Sequence, residues 1–424
     1  MNINTVLSDK KESVSPITVS IPDGADVIVG QHCYLVVTVK SPQIKSIKSI
    51  SIEVPNKDIV VKQEKDWKLI DDASGEAIFM LEVDGKLLPN TSISYTVHAY
   101  SDTNVDVEGI TPLTVGYTTK RMKKDSVILL STDIEILATT DIPNPIDNPN
   151  TKYNVYSGVI TDENGSPLKN TQVIISSLST PHSIQLANIT TNPINGNAPE
   201  IIKPQERTNQ PDFITINSDD NGNIEFRVYA KQSMSVTIKF TTEIFGVIYP
   251  TYVASAYLVA GYGSDGLLQI PSILDISSGG VVKKRIGIEK FRVGVPSYSS
   301  PVAGDTIIFL IKDENNKVIQ LKPTSYVESR GTNLGGHSFT LSYEKIPFNK
   351  RLEFYYLVVL IGGYGVFSKK LNVIFEDDSG NKGGTGGTGG HKNDCDNGLY
   401  NKVDVDSSYE DGKFSLKIKS ITLI

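Results

Sequence analysis

Thr91-Ser92-Ile93-Ser94-Tyr95-Thr96-Val97-His98-Ala99-Tyr100 alternates between apolar and polar residues. Successive side chains of a strand point to opposite faces, so Ile93, Tyr95, Val97 and Ala99 fall on one side and Ser92, Ser94, Thr96 and His98 on the other. His98 is expected on the solvent side. Working outward, Cys33-Tyr34-Leu35-Val36-Val37-Thr38-Val39 has the β-branched and aromatic content of a strand, and Ile47, Ile50, Ile52 and Val54 lead into Pro55, which has no N–H to donate to a ladder. Such segments return every ~8–15 residues, while apolar stripes at i, i+3, i+4, i+7 do not. Between them lie Asp72-Ala73-Ser74-Gly75, Asp162-Glu163-Asn164-Gly165, Asp219-Asp220-Asn221-Gly222 and Asp313-Glu314-Asn315-Asn316. Asp and Asn bond their own turn backbone and Gly supplies positive φ, so these are turns with a mechanism. The expected fold class is all-β, built of antiparallel β-sandwiches.

A length of 424 residues allows two to four domains. A hydrophobic share of 39% supplies several cores and excludes disorder over the whole chain. Lys and Arg number 41 against 48 Asp and Glu, a net charge of −7 with no Lys/Arg run beyond about three or four, so nucleic acid is not an expected partner. No apolar run reaches the ~18–20 residues of a membrane helix. The first residues, Met1 to Glu12, hold no apolar segment of the ~7–15 residues a signal peptide needs, so no Sec-type export signal is expected.

Punctuation divides the chain into a flexible N-terminus (1–12), a sandwich over 13–120, a second over 121–265 and a third over 266–424. The basic break Thr118 to Asp125 and the glycine-rich breaks Tyr262-Gly263-Ser264-Asp265-Gly266 and Ser277-Ser278-Gly279-Gly280 set the bounds. The middle unit contains a long irregular stretch, 179–212, with Pro181, Pro193, Pro199, Pro204 and Pro211. The last contains a polar, mobile loop, 376–412, between Leu371–Phe375 and a closing strand at Phe414–Ile418. A turn glycine, an alternating strand, a short link and a second strand recur at Gly75, Gly222 and Gly336. Gly30, Gly165 and Gly304 each precede an early strand, a pattern expected of tandem copies.

In the middle unit, Val159-Ile160-Thr161-Asp162-Glu163-Asn164-Gly165-Ser166-Pro167-Leu168, then Val173 and Ile175, then Asp220-Asn221-Gly222-Asn223-Ile224-Glu225-Phe226, resembles bacterial immunoglobulin-like domains. The type is the one found in tandem in intimin- and invasin-like adhesins, with similarity also to carboxypeptidase-regulatory-like sandwiches. The match spans about 155–245 and is carried by those two motifs. The resemblance implies tandem immunoglobulin-like antiparallel β-sandwich domains that serve as a spacer or adhesion module without enzyme activity.

Motifs for chemistry are few. His32, His98, His182, His337 and His391 are scattered, and no CxxC occurs. Tyr262 to Gly266 lacks the leading glycine of a nucleophile elbow and reads as a connecting loop. Gly383 to Gly390 is followed by His391-Lys392, not by the Lys-Ser/Thr and helix of a phosphate cradle. The chain is therefore expected to be no enzyme and to carry no cofactor. Asp394, Asp396, Asp404 and Asp406 crowd the late loop and read as a solvated acidic loop, with calcium as the alternative. Cys33 and Cys395 make one bridge at most, and the sequence leaves their pairing open.

Tyrosine is abundant at 19 residues. Most are expected as cross-strand pairs, and Tyr249, Tyr252, Tyr257, Tyr262 and Tyr364 are the candidates for partner binding because surface rings offer area at low entropy cost. The expected role is a non-enzymatic adhesion protein that presents loops on a rigid scaffold to a protein or glycan receptor, at a cell surface or secreted by a non-Sec route. A structural part of a phage tail, capsid decoration or contractile injection particle fits the same features. Its partners would then be neighbouring particle proteins, with homo-oligomers through sheet edges and accumulation in the cytoplasm before assembly. A secreted toxin or virulence factor lacking a Sec signal is the third reading.

Overall fold

The computed structural model describes residues 15–377, except 124, 149, 180–181, 194–196, 208–209, 261–265 and 362, together with 402–410 and 413–422. The chain divides into two compact units, Met1–Asp377 and Asp378–Ile424. The expected N-terminus 1–12 lies outside the described residues.

Eight strands build a first sandwich: β1 (Ile17–Val19), β2 (Ala25–Ile28), β3 (His32–Lys40), β4 (Ser49–Glu53), β5 (Ile59–Leu69), β6 (Ser74–Val83), β7 (Ser92–Tyr100) and β8 (Leu113–Lys120). They form two four-stranded sheets, β1-β3-β6-β5 and β2-β8-β7-β4. The alternation of β7 is realised as read: Ile93, Tyr95, Val97 and Ala99 are buried with Leu35, Val37 and Val39 of β3 in one core. The core phenols are satisfied, with Tyr95 and Tyr117 hydroxyls 2.6 Å apart and Tyr117 donating to the Ile21 carbonyl. His98 lies on the outer face yet is largely covered, between Asp106 at 3.0 Å and the Tyr100 ring. Edge strand β5 exposes Lys62, Glu64, Lys65, Asp66 and Lys68, charges that discourage a further strand from pairing. One turn differs from its reading. Asp71 makes it, accepting from Ala73 N at 2.8 Å, and Gly75 sits inside β6 with the Trp67 ring in the space of its missing Cβ.

The second sandwich comprises β9 (Ile136–Ala138), β10 (Asn154–Val159), β11 (Gln172–Ser177), β12 (Ala187–Thr191), β13 (Gln205–Arg207), β14 (Gln210–Asn217), β15 (Asn223–Ala230), β16 (Val236–Ile244) and β17 (Ile248–Val259). Its sheets are β10-β15-β12 and β13-β14-β11-β16-β17-β9. The stretch 179–212, read as irregular, holds a 3-10 turn (Ser183–Leu186), β12, β13 and the start of β14. Its prolines sit outside β12 and β13, and the short Ala-Asn-Ile-Thr-Thr run is a strand because β15 pairs with it. Two expected turns are built alike: Asp162 Oδ1 accepts from Asn164 N and Ser166 N, and Asp219 Oδ1 accepts from Asn221 N and Asn223 N.

The third sandwich comprises β18 (Ser272–Ile273), β19 (Val281–Lys284), β20 (Lys290–Gly294), β21 (Thr306–Lys312), β22 (Val318–Tyr326), β23 (Phe339–Ser342), β24 (Arg351–Val359), β25 (Gly365–Phe367) and β26 (Leu371–Asp377). A three-stranded sheet, β18-β20-β23, packs on β19-β26-β24-β21-β22, with β25 joined to β24. Ile307 to Ile311 on β21 are buried on both faces. Ile307, Phe309 and Ile311 fill the core, while Ile308 and Leu310 pack with Ile136, Tyr257 and Val259 of the second sandwich. A strand covered on both sides reads as an unbroken apolar run.

In the second unit, β27 (Lys402–Glu410) and β28 (Lys413–Thr422) pair antiparallel, from Lys402 opposite Thr422 to Glu410 opposite Lys413. The stretch 376–412 therefore contains a strand where only loop was expected, and the Phe414–Ile418 strand pairs with that neighbour. Alternating polar and apolar residues over 402–410 carried this signal.

Candidate functional site

The hairpin joining β16 to β17 shapes the site. It turns through Phe245, Gly246 and Val247, with Val247 N donating to Ile244 O at 2.8 Å. Gly246 has φ +85, and a Cβ there would come within 2.6 Å of the Gly30 carbonyl oxygen, so both conformation and space demand glycine. The hairpin is pinned to the first sandwich: His32 N donates to Phe245 O at 2.8 Å, and the Phe245 ring meets His32 edge-on at 5.0 Å and stacks with Tyr34 at 6.3 Å. Ile174 and Phe213 complete an apolar seam with Tyr34, Ile78 and Met80.

Beyond that hairpin opens a cavity of about 450 Å³, lined by Leu178, Pro211, Phe245, Val247, Ile248, Tyr249 and Pro250, with Ser176, Glu243 and Gly246. Its outer wall is wet and apolar, with Tyr249 89% and Leu178 59% exposed. Its inner wall is fixed. Ser176 bonds Thr241 at 2.7 Å, and Glu243 is buried opposite Ile174 in the ladder. The volume falls within the ~300–1,000 Å³ of small-molecule sites and suits one inserted apolar side chain with its neighbours.

The five tyrosines expected at a binding surface do not form one group. Tyr249 lines the cavity. Tyr252 is half-exposed, bonds Ser255 at 3.0 Å, and burial pushes its phenol up to about 12. Tyr257 is a correction: at 0% exposure it is sealed among Ile136, Val259 and Leu357, because the third sandwich covers the inner half of β17. Tyr364 is exposed at the turn between β24 and β25, where its carbonyl accepts from Leu360 N at 2.9 Å. Tyr262 lies outside the described residues. Glu243, Leu178 and Val247 escaped the sequence reading, since Leu178 follows β11 while Glu243 and Val247 belong to the β16–β17 hairpin much later in the chain; Gly246 was the available turn signal.

Of the acidic group, Asp394 and Asp396 lie outside the described residues, and Asp404 and Asp406 stand on β27 opposite Ser420 and Lys417. Among the described residues no cluster of three or more His, Cys, Asp or Glu gathers around a common point. Cys33 is buried as a free thiol, pushed up to about 12 by its burial; Cys395 lies outside the described residues.

Two joints hold the cavity's surroundings rigid. At the first, Gln172 brackets the Tyr34 backbone and Gln31 Nε2 donates to the Gln172 carbonyl at 2.9 Å. At the second, Glu135 accepts from Gln320 Nε2 at 3.0 Å and Thr324 Oγ1 at 2.7 Å and pairs with Lys322, while Glu135 N donates to Gln320 Oε1 at 2.8 Å. The networks are internally satisfied, which favours a single arrangement of the three cores.

No family model and no curated protein matches the chain. Solved structures similar to it include the D00-D0 domain of intimin, at 12% identity over 57% of this chain and 99% of that one, with a TM-score of 0.20. FdeC, an Escherichia coli adhesin, is 12% identical over 85% of this chain and 96% of its own, with a TM-score of 0.21. The Yersinia pseudotuberculosis adhesin InvE is 11% identical over 72% of this chain and 74% of its own, with a TM-score of 0.22.

Proposed function

We propose that this chain is a non-enzymatic adhesion protein, surface-held or secreted, whose tandem immunoglobulin-like modules, bounded at 13–120, 121–265 and 266–424, present the Tyr249 cavity to a protein receptor. The observation that carries the reading is an exposed apolar concavity on a rigid double-sheet support. Leu178, Val247 and Tyr249 are exposed where a solitary module would keep polar residues, and the hairpin beneath them is bonded to a second sandwich. The occupant is an apolar side chain of that receptor, seated against Phe245 and Ile248, with Tyr249 closing over it.

Labelled full-length protein applied to epithelial cells tests this. Saturable binding is expected, reduced about tenfold or more by Val247→Asp and by Tyr249→Ala, with unchanged melting for Tyr249→Ala, whose side chain is solvent-facing. Equal binding by the three proteins overturns the assignment of the cavity. Sedimentation of the native protein with particles from the producing culture, and none at the surface or in the medium, overturns the adhesion reading in favour of a structural part.

A further inference from the structure

A second cavity, of about 390 Å³, lies where Ser20 of the first sandwich approaches β14 and β15 of the second. Its lining carries more carboxamide and hydroxyl side chains than that of the Tyr249 cavity. The lining includes Asn170, Asn192, Thr215, Asn217 and Glu225, with Ile202 as its apolar surface.

Several of these polar groups are held in fixed orientation by neighbours. Asn192 Nδ2 donates to Glu225 Oε2 at 2.7 Å, and its Oδ1 accepts from Arg227 Nε at 2.7 Å. The Arg227 guanidinium is itself anchored over the Tyr153 ring at 4.3 Å. Asn217 Nδ2 donates to the Ser20 carbonyl at 2.6 Å, which orients its Oδ1. The Asn170 carboxamide and the Thr215 hydroxyl make no hydrogen bond among the described residues, and both are half-buried. Donors and acceptors are thus set around the cavity with capacity to spare.

Charge decides what fits. Asp219 and Glu225 line the cavity and no Lys or Arg does, so an anion is repelled. Asp219 is spent on its turn, accepting from Asn221 N, Asn223 N and Asn223 Nδ2, which leaves a hard cation short of ligands. An apolar molecule would leave the Asn170 carboxamide and the Thr215 hydroxyl unpaired. A neutral compound rich in hydroxyls, each able to donate and accept, satisfies Asn170, Thr215, Asn217 and Glu225 together, and its C–H face rests on Ile202.

The geometry points to a saccharide site here, for a short neutral glycan of two or three rings. It does not depend on the Tyr249 cavity.

Saturation-transfer NMR on the full chain, with lactose, maltose and cellobiose at millimolar concentration, tests the site. Thr215→Val preserves shape without the hydroxyl, and Asn170→Gly removes the carboxamide while tolerating the positive φ of 51° found there. Transfer to at least one disaccharide is expected, weakened about tenfold in each variant at unchanged melting temperature. No transfer from any of the three, or equal transfer in wild type and both variants, overturns the assignment. So does a calcium-induced rise in melting temperature that Asn170→Gly abolishes.

Discussion

The side-chain amide of Gln172 stands in for a strand against the backbone of Tyr34. Its Nε2 donates to the Tyr34 carbonyl at 2.7 Å, and its Oε1 accepts from Tyr34 N at 2.8 Å. All four groups are buried, so the pair ties two sandwiches together by the pattern used within a sheet.

Replacing Gln172 with Leu leaves a buried N–H and a buried C=O at Tyr34 without partners. Each such group costs about 1–3 kcal/mol, so a loss of about 2–5 kcal/mol is expected in urea titration of the full chain. A change below about 0.5 kcal/mol would show that the bracket contributes nothing.

Glu135→Ala removes the acceptor shared by Lys322, Gln320 and Thr324 at the second joint. Lys322 is partly exposed and recovers some hydration, so the expected destabilisation is about 1–3 kcal/mol, less than for a fully buried pair. Glu135→Gln can still accept from Gln320 and Thr324 through its one carboxamide oxygen but loses the Lys322 pair, and should recover part of it. Identical losses in the two variants would argue that only the ion pair matters.

Gly222 and Gly165 separate strain from collision. Both have positive φ, but a Cβ on Gly222 would sit 2.4 Å from the Ile160 carbonyl oxygen, whereas one on Gly165 meets nothing within 4 Å. Gly165→Ala should therefore lower stability by about 1–2 kcal/mol and Gly222→Ala by clearly more. Equal effects would mean that the loop over Ile160 yields freely.

Alkaline pH is expected to destabilise the protein. Burial pushes the Cys33 thiol up to about 12 and the Tyr252 and Tyr326 phenols up to about 12. A folded-state value above the unfolded one stabilises the neutral form, so this contribution is whole below the unfolded values near pH 9–10 and falls away toward pH 12. Melting temperature should drop across that window, and phenolate absorbance should lag that of the unfolded chain. In a Cys395→Ser variant, the native thiol should not react with Ellman's reagent at pH 8 but should react in urea. Prompt native reaction would contradict the burial of Cys33.

Much of the fold was legible because strand period is local. The Thr91–Tyr100 alternation alone identifies which four residues enter the core, and the Asp162 and Asp219 turns announce themselves through the residues that accept their own backbone N–H groups. The site was less legible. Tyr249 and Tyr257 are eight positions apart on one strand, both aromatic among apolar neighbours, yet one is exposed at a cavity and the other sealed in a joint. The difference comes from which part of β17 another sandwich covers, and periodicity within β17 carries no record of that.

The sequence by itself determined the all-β class, the strand faces and the Asx turns, because alternation and turn chemistry act over two to five residues. Tertiary structure alone decided the rest: that Ala187–Thr191 is a strand, that Gln172 meets Tyr34, that Ile308 and Leu310 face a second sandwich, and that Leu178, Val247 and Tyr249 surround one cavity. Each of these depends on segments brought together from distant positions. A β ladder or a joint assigns a partner only once both sides are in place, and the same apolar residue serves equally well in a core, a seam or an open wall.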